Sequence, residues 1–211
     1  KEAIINSGLE NCNEHWSETA GVILGSSIGG IETINDSYKQ VFENGHNRLH
    51  PFTIPKIMNN SAASLISIEY NIQGPSFTVS SACSSANHAM GMAYETIKSG
   101  KSKILITGGS ESFLSFGGIK PWESLRVLSQ SKCRPFSKER DGLVHGEGAG
   151  VFVFESLASA KKRKADIIAE VVGFAMSSDA SDLIKPNNIG PQKALKGALK
   201  DAMINEADVT Y

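Results

Sequence analysis

Ser76-Phe-Thr-Val-Ser-Ser-Ala82, then Cys83, then Ser84-Ser-Ala-Asn-His-Ala-Met-Gly-Met-Ala-Tyr-Glu-Thr-Ile-Lys-Ser99 closed by Gly100, then Lys103-Ile-Leu-Ile-Thr107: this stretch decides the fold. The first run carries the β-branched and aromatic residues of a strand. Ala86, Met90, Ala93 and Ile97 then recur at helical spacing, with Gly91 allowing a close neighbour, and Gly100 supplies a helix stop. Lys103 to Thr107 is a second strand. Strand, helix and strand make a βαβ unit, and the crossover rule makes its strands parallel.

Outward from this unit, Gly21-Val-Ile-Leu-Gly-Ser-Ser27 is an apolar run breaking into the small-residue turn Ser26 to Gly30, as a central strand would. Ile57 to Tyr70 has helical spacing and is closed by Gly74-Pro75. Gly148 to Phe154 and Ile167 to Phe174 are predicted strands; Leu157 to Arg163 and Pro191 to Met203 are predicted helices. Strands alternate with helices throughout, so the fold class is α/β. Lys1 to Gly8 reads as the last turns of a helix, and Asp208 to Tyr211 as the start of a strand, so both ends are expected to be truncations.

With 40% hydrophobic residues over 211, the chain can build a substantial core. Lys plus Arg (21) nearly balances Asp plus Glu (22), which gives no argument for nucleic acid or an anionic membrane as partner. No apolar run is long enough to span a bilayer and no leader is recognisable, so the cytoplasm is the default location. Cys12, Cys83 and Cys133 are odd in number and lack metal-ligand spacing, which argues against a disulfide framework and a zinc site, and no metal is expected.

Cys83 sits where the predicted strand meets the predicted helix. A thiol there faces unpaired backbone N–H groups and the positive end of the helix macrodipole, the setting that prepares a sulfur nucleophile. The same N–H groups can hold an oxyanion, and Ser81, Ala82, Ser84 and Ser85 are small enough for a sharp turn. His88 follows five residues later, rotated by roughly 140° on a shared helix, so it is read as structural. His15, His46, His50 and His145 fall in predicted loops or turns and show no catalytic spacing.

Four segments resemble the elongating β-ketoacyl synthases of fatty-acid and polyketide synthesis: Gly25 to Gly30, Gly74 to Ala86, Ile106-Thr-Gly-Gly-Ser-Glu111, and Arg134-Pro-Phe-Ser-Lys-Glu-Arg-Asp-Gly-Leu-Val-His-Gly-Glu-Gly-Ala-Gly150. The resemblance implies a thiolase-like layered α/β/α/β/α fold, with residues 1–163 belonging to the N-terminal half and 164–211 to the beginning of the C-terminal half. It implies that Cys83 takes an acyl group from an acyl carrier protein as a thioester. A malonyl-carrier thioester then loses CO₂ and its enolate attacks. No cofactor is implied beyond the phosphopantetheine that arrives on the carrier. By the same resemblance Ile28 gates the acyl pocket, Arg48 and Arg134 face the carrier, and the catalytic histidines and lysine lie beyond Tyr211, leaving the chain incomplete for turnover. A homodimer is implied too, and it is expected to form through the strand near Lys103 to Thr107, at an edge of the sheet. The competing readings are a chain-length-factor-like partner subunit, which normally lacks the cysteine, and a thiolase or initiating synthase using acyl-CoA.

Overall fold

The computed structural model describes residues 1–12 and 16–210. In chain order the elements are α1 (Glu2–Asn6), β1 (Gly21–Gly25), α2 (Ile31–Tyr38), α3 (Thr53–Ile57), α4 (Ser61–Glu69), β2 (Ser76–Val79), α5 (Ser85–Lys98), β3 (Ile104–Glu111), α6 (Phe116–Ser124), β4 (Gly148–Glu155), α7 (Leu157–Lys162) and α8 (Ile189–Ala202). The strands form one sheet in the order β2-β1-β3-β4. β1 is parallel to both β2 and β3, and β4 closes the sheet antiparallel to β3.

The two faces of the sheet follow from its period of two. Val22, Leu24, Ile104 and Ile106 point to one side, where they meet Ile4, Leu9, Ala63 and Ile72 from the α1 and α4 region. Ile23 and Leu105 point to the other, against Ala89 and Ala93 of α5. Burial on both sides explains the unbroken apolar run of β1, every residue of which is buried. Each fully buried Leu or Ile contributes about 1.5–3 kcal/mol relative to exposure. The fully buried face of α5 is Ser85, Ala89 and Ala93, while Met90 and Ile97 of the expected stripe lie half-buried beside it.

The βαβ reading holds, with one correction. The crossover from β2 through α5 to β3 passes over β1, so β3 pairs on both sides and has no free edge. The expectation that Lys103 to Thr107 lies at a sheet edge is therefore overturned; sequence order does not fix spatial order. The expected helix from Ile57 to Tyr70 is also corrected. It begins at Ser61, because Met58 is extended (ψ 136°) and the Ser61 hydroxyl and N–H both bond to the Met58 carbonyl. The Ser61 side chain thus offers the backbone a local partner in place of a continued helix.

Ile167 to Phe174 was expected as a strand and forms none. Two of its backbone groups bond to side chains: the Val172 carbonyl accepts the Tyr94 hydroxyl at 3.1 Å, and the Phe174 N–H donates to Asp201 at 3.0 Å. The Phe174 ring occupies the space left by Gly91, where a Cβ would collide with it. Lys98 of α5 pairs with Asp201 of α8 at 2.9 Å, so this segment and α8 lie over the outer face of α5. Asp208 to Thr210 holds the end of a 3-10 turn rather than a strand, and Tyr211 lies outside the described residues. On the opposite side of the fold, Arg163 forms a two-pronged contact with Glu155 and donates to the Ser7 carbonyl, joining the end of β4 and α7 to α1.

Candidate active site

β2 ends at Val79, and Ser80 to Ser84 turn the chain into α5. The turn is sharp because Ala82 adopts a left-handed conformation (φ 52°), uncommon for a residue with a Cβ. Serine side chains satisfy its backbone. The Ser81 N–H donates to Ser85 Oγ at 2.9 Å, the Ser84 hydroxyl to the Ser81 carbonyl at 2.9 Å, and the Ser85 hydroxyl to the Ala82 carbonyl at 2.6 Å. The start of α5 is pressed onto the C-terminal ends of the parallel strands: a Cβ at Gly25 of β1 would strike the Ser85 and Ala86 backbone. That is where open α/β sheets place their ligands. Cys83 stands exposed at the crest of this turn, one residue ahead of the Ser84 cap.

The turn carrying Ile28 lies alongside. The Ser26 N–H donates to the Val79 carbonyl at 3.2 Å, and the Ser80 hydroxyl to the Ser27 carbonyl at 3.2 Å. Glu111, from the end of β3, accepts the Ser27 N–H at 2.8 Å and also the Ser27 hydroxyl. Ile28 is 39% exposed, on the turn that this clamp holds. Beside it opens a cleft of about 470 Å³ lined by Ser26, Glu111, Glu147, Lys56 and Asn59 among others, with neither Cys83 nor Ile28 in its wall. Glu147 accepts the Leu114 N–H at 2.7 Å and so orders the entry to α6. Both glutamates lie inside the family-like segments, but their roles depend on partners distant in sequence, so no local signal marks them.

Arg48 is exposed in the excursion between β1 and β2. Arg134 is half-buried, with its guanidinium 3.2 Å from Asp141 and 2.8 Å from the Ser131 hydroxyl. The Ser129 hydroxyl, and then Arg134, hold the Asp141 carboxyl down to about 2. His46 and His50 are exposed, His50 accepting the Phe52 N–H; His145 stands edge-on between the Phe113 and Trp122 rings. His15 lies outside the described residues. His88 bonds to Ser81, with Nδ1 2.7 Å from the hydroxyl oxygen. Among the described residues no hydrogen bond joins a histidine to Cys83, and no group of three or more His, Cys, Asp or Glu is placed to hold a metal ion. No helix among them is long and apolar enough to cross a membrane.

Residues 1–160 match the family described as Beta-ketoacyl synthase, N-terminal domain. The chain belongs to the β-ketoacyl synthase family. It is 41% identical over 210 residues to Nodulation protein E of Rhizobium leguminosarum bv. trifolii, covering 100% of this chain and 52% of that protein. It is 36% identical over 218 residues to the 3-oxoacyl-[acyl-carrier-protein] synthase 2 of Staphylococcus aureus, covering 100% of this chain and 54% of that one. Among solved structures, a β-ketoacyl synthase from Burkholderia phymatum STM815 superposes with a TM-score of 0.85 at 34% identity, over 94% of this chain and 50% of that chain. The ketosynthase of AntDE:AntF, solved in complex with its type II PKS acyl-carrier protein, gives 0.85 at 28%, over 92% of this chain and 51% of that chain. This chain of the β-ketoacyl synthase family thus spans about half the length of the curated relatives it matches.

Proposed function

We propose that Cys83 is the residue on which this β-ketoacyl synthase chain carries an acyl group, and that the protein condenses the acyl thioester with a malonyl-carrier thioester with loss of CO₂. The observation that carries the reading is the placement of Cys83: an exposed thiol on a left-handed turn at the start of α5, in a chain of this family. In the acylation step the sulfur attacks the thioester carbonyl, the Cys83 backbone N–H is proposed to stabilise the oxyanion, and the carrier's thiolate leaves and takes up the proton given up by the Cys83 thiol. An acyl carrier protein is the proposed acyl donor. Arg48, exposed and cationic, suits an acidic carrier surface, and Arg134 is proposed as a second docking residue, although its pairing with Asp141 offsets part of its charge. Ile28, on the neighbouring turn, is proposed to meet the acyl chain as it reaches the sulfur. A homodimer would pair through an outer strand, β2 or β4, since β3 is enclosed.

Condensation is proposed for a protein of the relatives' length, and acylation for Cys83 itself. The test is incubation with acyl-carrier thioesters followed by peptide mass mapping. An acyl adduct on Cys83, lost in Cys83→Ala, is the expected result. Uptake from acyl-CoA but not from the carrier would favour a thiolase-type enzyme, and no uptake from either would favour a non-catalytic partner subunit.

A further inference from the structure

The turn under Cys83 is held from an unexpected side. His88 lies one turn into α5, rotated away from the sulfur, and its Nδ1 lies 2.7 Å from the Ser81 hydroxyl oxygen. Ser81 is the residue before Ala82, whose left-handed backbone turns the chain into Cys83. The other bonds of Ser81 use its backbone: its N–H reaches Ser85 and its carbonyl accepts from Ser84. The His88 contact is the one that engages its side chain, and it ties the incoming arm of the turn to the body of the helix. The His88 N–H in turn bonds to the Ser84 carbonyl at 2.9 Å, so the ring rises from a backbone that is already fixed.

We infer that His88 is a positioning residue for Cys83: through Ser81 it locks the strained Ala82 turn in the conformation that aims the sulfur from the N-terminus of α5. A left-handed residue with a Cβ tends to relax unless its surroundings over-determine it. Without the His88 contact the serine bonds still hold the turn, but the Ser81 side chain loses its tie to the helix and the left-handed Ala82 is less firmly determined, which loosens the aim of Cys83. A neutral imidazole accepts the Ser81 O–H at Nδ1, and an imidazolium donates to the same oxygen, so the clamp does not depend on which form is present. The inference deepens the proposed role of Cys83 and rests on it, but its test does not require a carrier protein.

The measurement is the rate of iodoacetamide modification of Cys83 in the folded chain, followed by mass mapping, with Cys133 as the internal reference. His88→Phe keeps a ring without a hydrogen-bonding nitrogen, Ser81→Ala removes the other partner, and His88→Asn keeps a polar atom at the δ position. His88→Phe and Ser81→Ala are each expected to slow Cys83 about tenfold, the rate equivalent of one ordinary hydrogen bond, with Cys133 unchanged. The double variant should be no slower than either single one, and His88→Asn should recover most of the rate. Ser81→Ala carries the test by itself if His88→Phe does not fold. Unchanged Cys83 rates, equal loss in His88→Asn and His88→Phe, or parallel slowing of Cys133 would each overturn the inference. If the unsubstituted chain takes up no acyl group while this alkylation contrast persists, the proposed function fails and the clamp stands.

Discussion

The Glu111 carboxylate, at the C-terminal end of β3, accepts both the backbone N–H and the hydroxyl of Ser27, a residue 84 positions earlier in the chain. One side chain thus closes the turn after β1 onto the neighbouring strand. That turn bonds in its own right to Val79 and Ser80, so the Glu111 clamp bears on the surroundings of Cys83 without touching it.

Glu111→Ala leaves the Ser27 N–H without its partner. Hydrogen bonds to charged groups contribute about 1.5–3 kcal/mol each, so the unfolding free energy, read as the midpoint shift in urea multiplied by the m-value, should fall by at least about 1.5–3 kcal/mol. Glu111→Gln retains an acceptor and should lose less. Equal midpoints for all three proteins would contradict the clamp.

Cys83 and Cys133 are both exposed, whereas Cys12 is half-buried. Exposure predicts equal modification of the first two; the N–H groups at the start of α5 favour Cys83. Limited iodoacetamide treatment of the folded chain should label Cys83 first. Faster labelling of Cys133 would remove the main support for the nucleophile assignment.

Gly91→Ala places a methyl group where the Phe174 ring lies and should destabilise the protein by about 1–3 kcal/mol. In a Phe174→Ala background the same change should reverse sign, because Ala is favoured over Gly inside a helix by about 0.8–1 kcal/mol. The double-mutant cycle, read by thermal unfolding, checks this; additive effects would show that the two residues do not meet in solution.

The Asp141 carboxyl is held down to about 2 from its ordinary 3.8, first by the Ser129 hydroxyl and then by Arg134. A folded value below the unfolded one stabilises the native state above about pH 4, and that contribution fades as the pH falls through the folded value. An NMR titration of the Asp141 carboxyl should therefore show a midpoint well below 3.8, and Ser129→Ala should raise it. A midpoint at the ordinary value in the unsubstituted protein would contradict the loop geometry.

What the sequence by itself determined is what contiguous residues can encode. The buried apolar runs of β1 and β3, the stop of α5 beyond Lys98, and the strand-to-helix setting of Cys83 all follow from short continuous apolar segments, the 3.6-residue period and turn residues. His88 was legible as a residue unable to reach Cys83, since helix geometry alone turns it away. That it meets Ser81 depends on the left-handed Ala82 folding the chain back on the helix, which no local pattern announced. The tertiary structure alone decided the strand order, because hydrogen-bonding edges are interchangeable until packing chooses neighbours, and so β3 lies enclosed. It decided Ile167 to Phe174 as well: the segment has the β-propensity of a strand, but a strand exists only beside another, and here no strand pairs with it while Tyr94 and Asp201 take two of its backbone groups.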